Sequence, residues 1–136
     1  MTTPVPISLT VNGERVEADV PPRLNLVDFI RHQLGLTGSH VGCEHGVCGA
    51  CTIRVDGDIV RGCLMLAAQA DGAKVVTIEG LAESGAAADL QAAFIERNAL
   101  QCGFCTPGML LTATAYLEAG GGADRHDIRE YLSGNY

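Results

Sequence analysis

Apolar and polar residues alternate on both sides of a tight turn at the start of the chain. Ile7 to Val11 alternates, Asn12–Gly13 is a pair favoured in two-residue hairpin turns, and Glu14 to Val20 alternates again. After Pro21–Pro22, apolar residues recur at helical spacing up to Gly35, at Leu24, Leu26, Val27, Ile30 and Leu34. The pattern predicts a β-hairpin followed by an amphipathic helix.

A second hairpin is predicted further along the chain. Thr52 to Val55 and Ile59 to Arg61 flank the turn sequence Asp56–Gly57–Asp58. Val75 to Ile78 then supplies a short closing strand. Two hairpins, one helix and a closing strand predict a sheet that grasps a helix.

The composition changes at Gly80 to Ala88, where small residues replace β-branched ones. We interpret this stretch as a linker between domains, which gives domains at residues 1–79 and 80–136. The second domain is predicted to be helical, so the fold class is α+β.

Three helices are predicted after the linker. The first runs from Asp89, its N-cap, to Asn98. The second runs from Pro107 to Glu118 with Thr106 as its N-cap, and ends at the three glycines that follow. Asp124 is expected to cap the third, which reaches Ser133–Gly134.

The charge of the chain excludes some classes of function. Sixteen acidic residues face nine basic ones, the net charge is −7, and Lys74 is the one lysine. Nucleic-acid binding is therefore not expected. No apolar run approaches the length of a membrane span, so direct membrane insertion is not expected either.

The most informative chemistry lies between the two halves of the predicted sheet. Cys43, Cys48, Cys51 and Cys63 form the run C-x4-C-x2-C-x11-C within GCEHGVCGACTIRVDGDIVRGC. This is the type of spacing by which a Gly-rich loop and a hairpin hold a plant-type [2Fe–2S] cluster. The glycines between these cysteines permit the close backbone approach that such a loop needs.

Zinc and disulfides are the alternatives for these four cysteines. Zinc usually takes two knuckles that each supply two ligands, whereas here three cysteines share one loop. The start of the chain, MTTPVPISLTV, has no basic and apolar leader, so we expect the reducing cytoplasm rather than a disulfide-forming compartment.

A second cysteine pair, Cys102 and Cys105, lies in QCGFCTPG immediately before a predicted helix. Two thiolates cannot complete a tetrathiolate site. Taken alone, the pair is compatible with a thioredoxin-like redox motif, half a zinc knuckle or half of another cluster.

The chain resembles the iron–sulfur subunit or domain of the molybdenum hydroxylases, which include xanthine dehydrogenase, aldehyde oxidoreductase and aerobic carbon monoxide dehydrogenase. The resemblance covers essentially the whole chain and rests on VGCEHGVCGACTIRVDG, the isolated Cys63, ALQCGFCTPGM and IREYLSGNY. It implies a β-grasp ferredoxin domain followed by a helical domain with a second [2Fe–2S] cluster.

In that family the second cluster takes one C-x2-C pair and one C-x-C pair. Cys102 and Cys105 match the first pair, and the C-x-C would be expected directly after Tyr136, where the sequence stops. Either the natural chain continues or the second cluster is absent, and we favour continuation.

The resemblance further implies an electron-transfer role. Electrons would leave a molybdopterin centre on a large partner subunit, in the cytosine dinucleotide form that is common among bacterial members, and pass through the [2Fe–2S] clusters to an FAD subunit or another acceptor. Gln101 and Cys102 are the candidates for contact with the pterin. No catalytic residue is expected on this chain. Its sequence does not identify the substrate of the complex, the final electron acceptor, the reduction potentials or the subunit stoichiometry.

Two other functions remain open on the residues. One is a stand-alone ferredoxin-like carrier with a single cluster, which would not need the helical extension. The other is a zinc-stabilised interaction module, which would be colourless and redox-silent.

Overall fold

The computed structural model describes residues 3–135, so predictions about the first two residues and Tyr136 lie outside it. Five strands form one mixed sheet in the order β2-β1-β5-β3-β4. The strands β1 and β5 are parallel, and the other neighbours are antiparallel. Their bounds are β1 (Val5–Val11), β2 (Glu14–Val20), β3 (Thr52–Val55), β4 (Asp58–Arg61) and β5 (Lys74–Val76).

Both predicted hairpins are present. In the first turn Asn12 and Gly13 have φ values of 51° and 83°, and in the second Asp56 and Gly57 have φ values of 49° and 88°. Positive φ at both central residues is the backbone of the tight turn that matches the twist of paired strands. Each turn thus sets the register of its hairpin.

The closing strand β5 lies in the middle of the sheet, but it ends earlier than its sequence predicts. Ile78 begins a helix instead of extending the strand. The reason lies at Thr77, whose backbone N–H donates to Asn12 Oδ1 at 2.9 Å rather than to a neighbouring strand. The side chain of the first turn therefore ends β5.

One helical segment crosses the sheet, as predicted. It begins as α1 (Leu26–Asp28), where Asn25 accepts from the Asp28 N–H at 2.8 Å, and continues as a π-helical segment, Phe29–Gln33. Its buried side chains fill the core beneath the sheet. The chain leaves the segment at Gly35, where φ is 71°.

Four further helices follow β5. They are α2 (Ile78–Ser84), α3 (Ala88–Glu96), α4 (Thr106–Glu118) and α5 (Arg125–Leu132). Most of the predicted linker, Gly80 to Ala88, therefore belongs to a helix. Gly80 is needed there because a side chain would overlap the Asn12 side chain.

One of the three predicted caps is confirmed. Asp124 accepts from the N–H groups of His126 and Asp127, as an N-cap does. Asp89 does not cap α3, because the helix begins one residue earlier with Ala87 at its cap position. Thr106 is itself the first residue of α4, and Cys105 precedes it without a side-chain cap.

The helical part packs on the sheet through one hydrophobic core. Leu81, Ala87 and Leu111 join the buried residues of the sheet in the same cluster. Arg54 of β3 and Glu118 at the end of α4 form an ion pair at 2.9 Å.

The fold class is α+β with a β-grasp part, as predicted; the division at residue 79 stays a prediction. Within residues 3–135, no helix has the length and apolar character needed to cross a membrane.

Candidate metal centre

The loop that carries the first three cysteines lies between the π-helical segment and β3, and it has no regular secondary structure. Its path is set by positive φ values at Glu44 (61°), Gly46 (84°) and Gly49 (76°). A Cβ placed on Gly42 would lie 3.0 Å from Cys48 Sγ. Glycine therefore lets the backbone run close beside the sulfur atoms.

Backbone N–H groups point at the first two sulfur atoms. Cys43 Sγ lies 3.4 Å from His45 N, 3.3 Å from Val47 N and 3.4 Å from Cys48 N. The N–H groups of Cys48 and His45 lower the pKa of the Cys43 thiol to about 6. Ala50 N likewise lies 3.4 Å from Cys48 Sγ. Hydrogen bonds of this kind favour the thiolate, which is the form that binds metal.

The other two cysteines are brought together by the second hairpin. Cys51 directly precedes β3, Cys63 follows β4, and Gly62 N donates to Cys51 O at 3.1 Å. Cys51 is 2% exposed, and its burial, followed by the neighbouring Cys63 thiol, raises its pKa to about 11. A metal ion there would replace the proton as the partner of this buried sulfur.

The four thiols adjoin one another, since Cys43 interacts with Cys48, and Cys51 interacts with both Cys63 and Cys48. In residues 3–135, no three His, Cys, Asp or Glu side chains are grouped closely enough to hold one metal ion. Four ligands for a single tetrahedral metal would have to converge on one point. Four adjacent thiols on one loop and one hairpin, spread over more than one point, suit a cluster that offers two irons, so the donor set fits [2Fe–2S].

The second cysteine pair lies on an exposed turn. Gly103 has a φ of 83°, and Cys105 immediately precedes α4. Gln101 and Cys102 are both exposed, so they are accessible to a partner. These positions agree with the roles predicted for the two residues, and the roles themselves stay predictions.

The structure places the two cysteine sets side by side, which the sequence did not predict. Phe104, between Cys102 and Cys105, stacks on His40 with ring centroids 4.5 Å apart and an angle of 13° between planes. His40 Nδ1 also lies 2.7 Å from the Phe104 carbonyl oxygen. A ring carbon of Phe104 is 3.7 Å from a Cβ placed on Gly42. The signal available in the sequence was a histidine and a phenylalanine beside the two cysteine motifs.

Exposed apolar side chains accompany each set. Val47 and Leu64, which is 60% exposed, lie beside Cys48 and Cys63, and Leu100 and Phe104 lie beside Cys102. We call the first two residues the Val47–Leu64 patch and the second two the Leu100–Phe104 patch.

Comparison with known proteins agrees with this geometry. Residues 9–82 match the family described as 2Fe-2S iron-sulfur cluster binding domain, and residues 77–136 match the family described as [2Fe-2S] binding domain. The gamma subunit of caffeine dehydrogenase from Pseudomonas sp. (strain CBB1) is 56% identical over 133 residues, which are 95% of this chain and 79% of that subunit. The chain is a small iron–sulfur subunit of the molybdenum hydroxylase family.

Other members of the molybdenum hydroxylase family share both its sequence and its fold. The nicotine 6-hydroxylase small subunit of Paenarthrobacter nicotinovorans is 51% identical over 140 residues, which are 99% of this chain and 84% of that subunit. In quinoline 2-oxidoreductase from Pseudomonas putida 86, a chain superimposes with a TM-score of 0.91 and 45% identity, over 99% of this chain and 83% of that one. As an iron–sulfur subunit, the chain has an electron-transfer role in an oxidoreductase complex, and the stand-alone carrier is not favoured.

Proposed function

We propose that this chain takes electrons from a molybdopterin centre on a large partner subunit and passes them to an FAD subunit. Cys43, Cys48, Cys51 and Cys63 would hold one [2Fe–2S] cluster, and Cys102 and Cys105 would supply two ligands of a second. When bound, each cluster would carry one electron at a time. The protein would orient their cysteine ligands and present docking surfaces.

The main support for this proposal is the contact between the segments that bear the two cysteine sets. The Phe104 ring, which belongs to the second turn, lies against Gly42 of the first loop and stacks on the His40 ring. Side-chain contacts therefore connect the segments that carry the two cysteine sets. This direct connection between the two segments supports electron transfer between them in either direction.

The exposed residues at each set support the order of the partners. Gln101 and Cys102 stand at the exposed end of the second turn, next to the Leu100–Phe104 patch. The Val47–Leu64 patch lies beside the first set. Exposed apolar patches often mark protein interfaces. We assign the Leu100–Phe104 patch and the pterin contact to the large subunit, and the Val47–Leu64 patch to the FAD subunit.

We place the assembled protein in the cytoplasm. All six cysteines are unpaired in the described structure. Cluster ligands must be kept reduced until iron is inserted, and the cytoplasm maintains thiols in that form.

Purification of the tagged chain from its native host tests the partners. We expect it to bring down a complex that contains iron, molybdenum and FAD, measured by elemental analysis and flavin fluorescence. Leu64→Asp should reduce the FAD recovered with the chain at least several-fold and leave molybdenum unchanged, because a charge is introduced into the apolar patch. Asp58→Lys, a charge change at an exposed position on β4, is the control and should leave both unchanged.

A chain that is purified with iron alone would contradict the proposal. Loss of molybdenum rather than FAD in Leu64→Asp would reverse the assignment of the two patches.

A further inference from the structure

A buried hydrogen-bond junction lies behind the first cysteine loop, on the carbonyl oxygen of Gly49. This oxygen, between Cys48 and Cys51, is 3.2 Å from Thr52 N, 2.7 Å from Thr52 Oγ1 and 3.0 Å from Asn135 Nδ2. A carbonyl oxygen has two lone pairs, so three donors saturate it. The junction therefore fixes the orientation of the peptide that joins these two cysteine positions.

Asn135 reaches this junction from the other end of the described chain, and its side chain is 7% exposed in total. Its Oδ1 lies 3.0 Å from the Thr112 hydroxyl of α4, whose single proton is shared with the Gly108 carbonyl oxygen at 2.9 Å. Since the Gly49 carbonyl can only accept, the nitrogen of the amide must face it, and the oxygen must face Thr112. The Asn135 amide therefore contacts Gly49 of the first cysteine loop at one end and Thr112 of α4, the helix that follows Cys105, at the other.

Arg61 closes the junction from the side of the sheet. Its guanidinium donates to Thr52 Oγ1 at 2.6 Å and to the Gly134 carbonyl at 2.8 Å. It takes part in none of the ion pairs found within residues 3–135. Its positive charge is thus held two residues before Cys63 by neutral oxygen atoms.

The backbones at the junction are in direct contact. A Cβ on Gly49 would lie 2.5 Å from the Gly134 oxygen and 2.6 Å from Asn135 Nδ2, and a Cβ on Gly108 of α4 would overlap the Gly49 oxygen. Neither a side chain nor a water molecule fits between these segments. A small displacement of Asn135 must therefore be transmitted to Gly49.

We propose that Asn135 is a positioning residue for the first cluster. Its amide holds the Gly49 carbonyl, and so the Cys48–Cys51 turn, in a fixed relation to α4, which begins directly after Cys105. The inference rests on the proposed function in one respect, that Cys48 and Cys51 are ligands. Groups that orient metal ligands tune the properties of a metal site without touching the metal.

The test uses the full-length chain in its complex, reduced with dithionite and measured by EPR, with a redox titration and iron analysis. Asn135→Leu, of similar size, removes the donor to Gly49. Thr112→Val keeps the size of the side chain and removes the hydroxyl that contacts Asn135 Oδ1 and the Gly108 carbonyl. Thr114→Val is the matched control, because Thr114 is also buried on α4 and its hydroxyl has no hydrogen-bond partner among the described residues.

We expect Asn135→Leu to shift the g values and midpoint potential of the first-cluster signal. Thr112→Val should shift them in the same sense by less, and Thr114→Val should not shift them. Loss of the first signal with retention of the second in Asn135→Leu would also support the proposal. If Asn135→Leu does not assemble, Thr112→Val against Thr114→Val decides by the same measurement.

Wild-type g values and potential in Asn135→Leu or, where that variant fails, in Thr112→Val would overturn the proposal. Failure of the ligand assignment is distinguishable, since Cys48→Ser would then leave the first-cluster signal intact.

Discussion

The first cysteine set and the second pair are held by different kinds of structure. The first lies on a loop tied into the sheet, where backbone N–H groups approach the sulfur atoms and Cys51 is buried. The second lies on an exposed turn, and in residues 3–135 no side-chain hydrogen bond reaches Cys102 or Cys105 sulfur. The difference shows that the first set is tied into the sheet by hydrogen bonds and burial, whereas the second pair lies at the surface with few such restraints.

The strongest test of this comparison removes one cysteine from each set. Cys51→Ser should abolish the first cluster, with loss of about two irons per chain, because a buried ligand is removed and binding is coupled to folding. Cys102→Ser should retain the first cluster in full. Iron analysis and EPR spin integration measure both. Equal loss of the first signal in the two variants would show that the sets are not independent.

A glycine pair tests how tightly the first loop is held. Gly49→Ala combines a strained φ with overlap of Gly134 and Asn135, so we expect it to lower the free energy of unfolding by about 3 kcal/mol. Gly57→Ala has a similar φ of 88° but open space around it, and should cost about 1 kcal/mol. Denaturant unfolding of both proteins gives the difference. Equal values would mean that the loop yields to the added methyl group.

Removal of the His40 ring tests the connection between the two sets. His40→Ala loses the stacking on Phe104 and the contact with its carbonyl, which together are worth about 1–3 kcal/mol. We expect amide hydrogen exchange at Gly103 to Cys105 to accelerate roughly tenfold. His45→Ala is the control, because the His45 ring contacts Cys43 O within its own loop. Unchanged exchange in His40→Ala would show that the turn is ordered without the stack.

The smallest effect is expected at the ion pair between sheet and helix. Glu118→Gln should reduce the free energy of unfolding by about 0.5–1 kcal/mol, because Glu118 is half-exposed and solvent screens the pair. Thermal unfolding at low and high salt measures it. Glu130→Gln, in an exposed pair with His126, is the comparison. A loss well above that range would mean that the pair is a main link between sheet and helices.

Local features of the structure were predictable, and distant ones were not. Asn12–Gly13 and Asp56–Gly57 specify their turns by their own backbone preferences, and Asp124 specifies its cap. The sequence does not predict the helix α2, because a glycine such as Gly80 usually disfavours a helix. Here the absence of a side chain at Gly80 permits its close contact with Asn12. The sequence predicts Thr106 and Asp89 as caps, but both lie inside the first turn of their helices, where good capping residues also occur.

In the candidate site, too, local features were predictable from the sequence and contacts between distant residues were not. The spacing of Cys43, Cys48, Cys51 and Cys63 predicted their grouping, because a short loop and a hairpin leave few alternatives. Asn135 could not be connected to Gly49, since 86 positions separate them and neither belongs to a periodic pattern. The same holds for His40 and Phe104, whose stacking depends on how the helices pack on the sheet.

The position of β5 in the sheet also has a consequence for the order of folding. The strand at the centre is the last of the five along the chain, and it joins two hairpins that have no other common neighbour in the sheet. Thr10 and Lys74 must meet across 64 positions before β1 has its second partner. Pairings of such high contact order form slowly. During synthesis, the cysteine loop thus stays between two unjoined hairpins until Lys74 to Val76 have emerged from the ribosome.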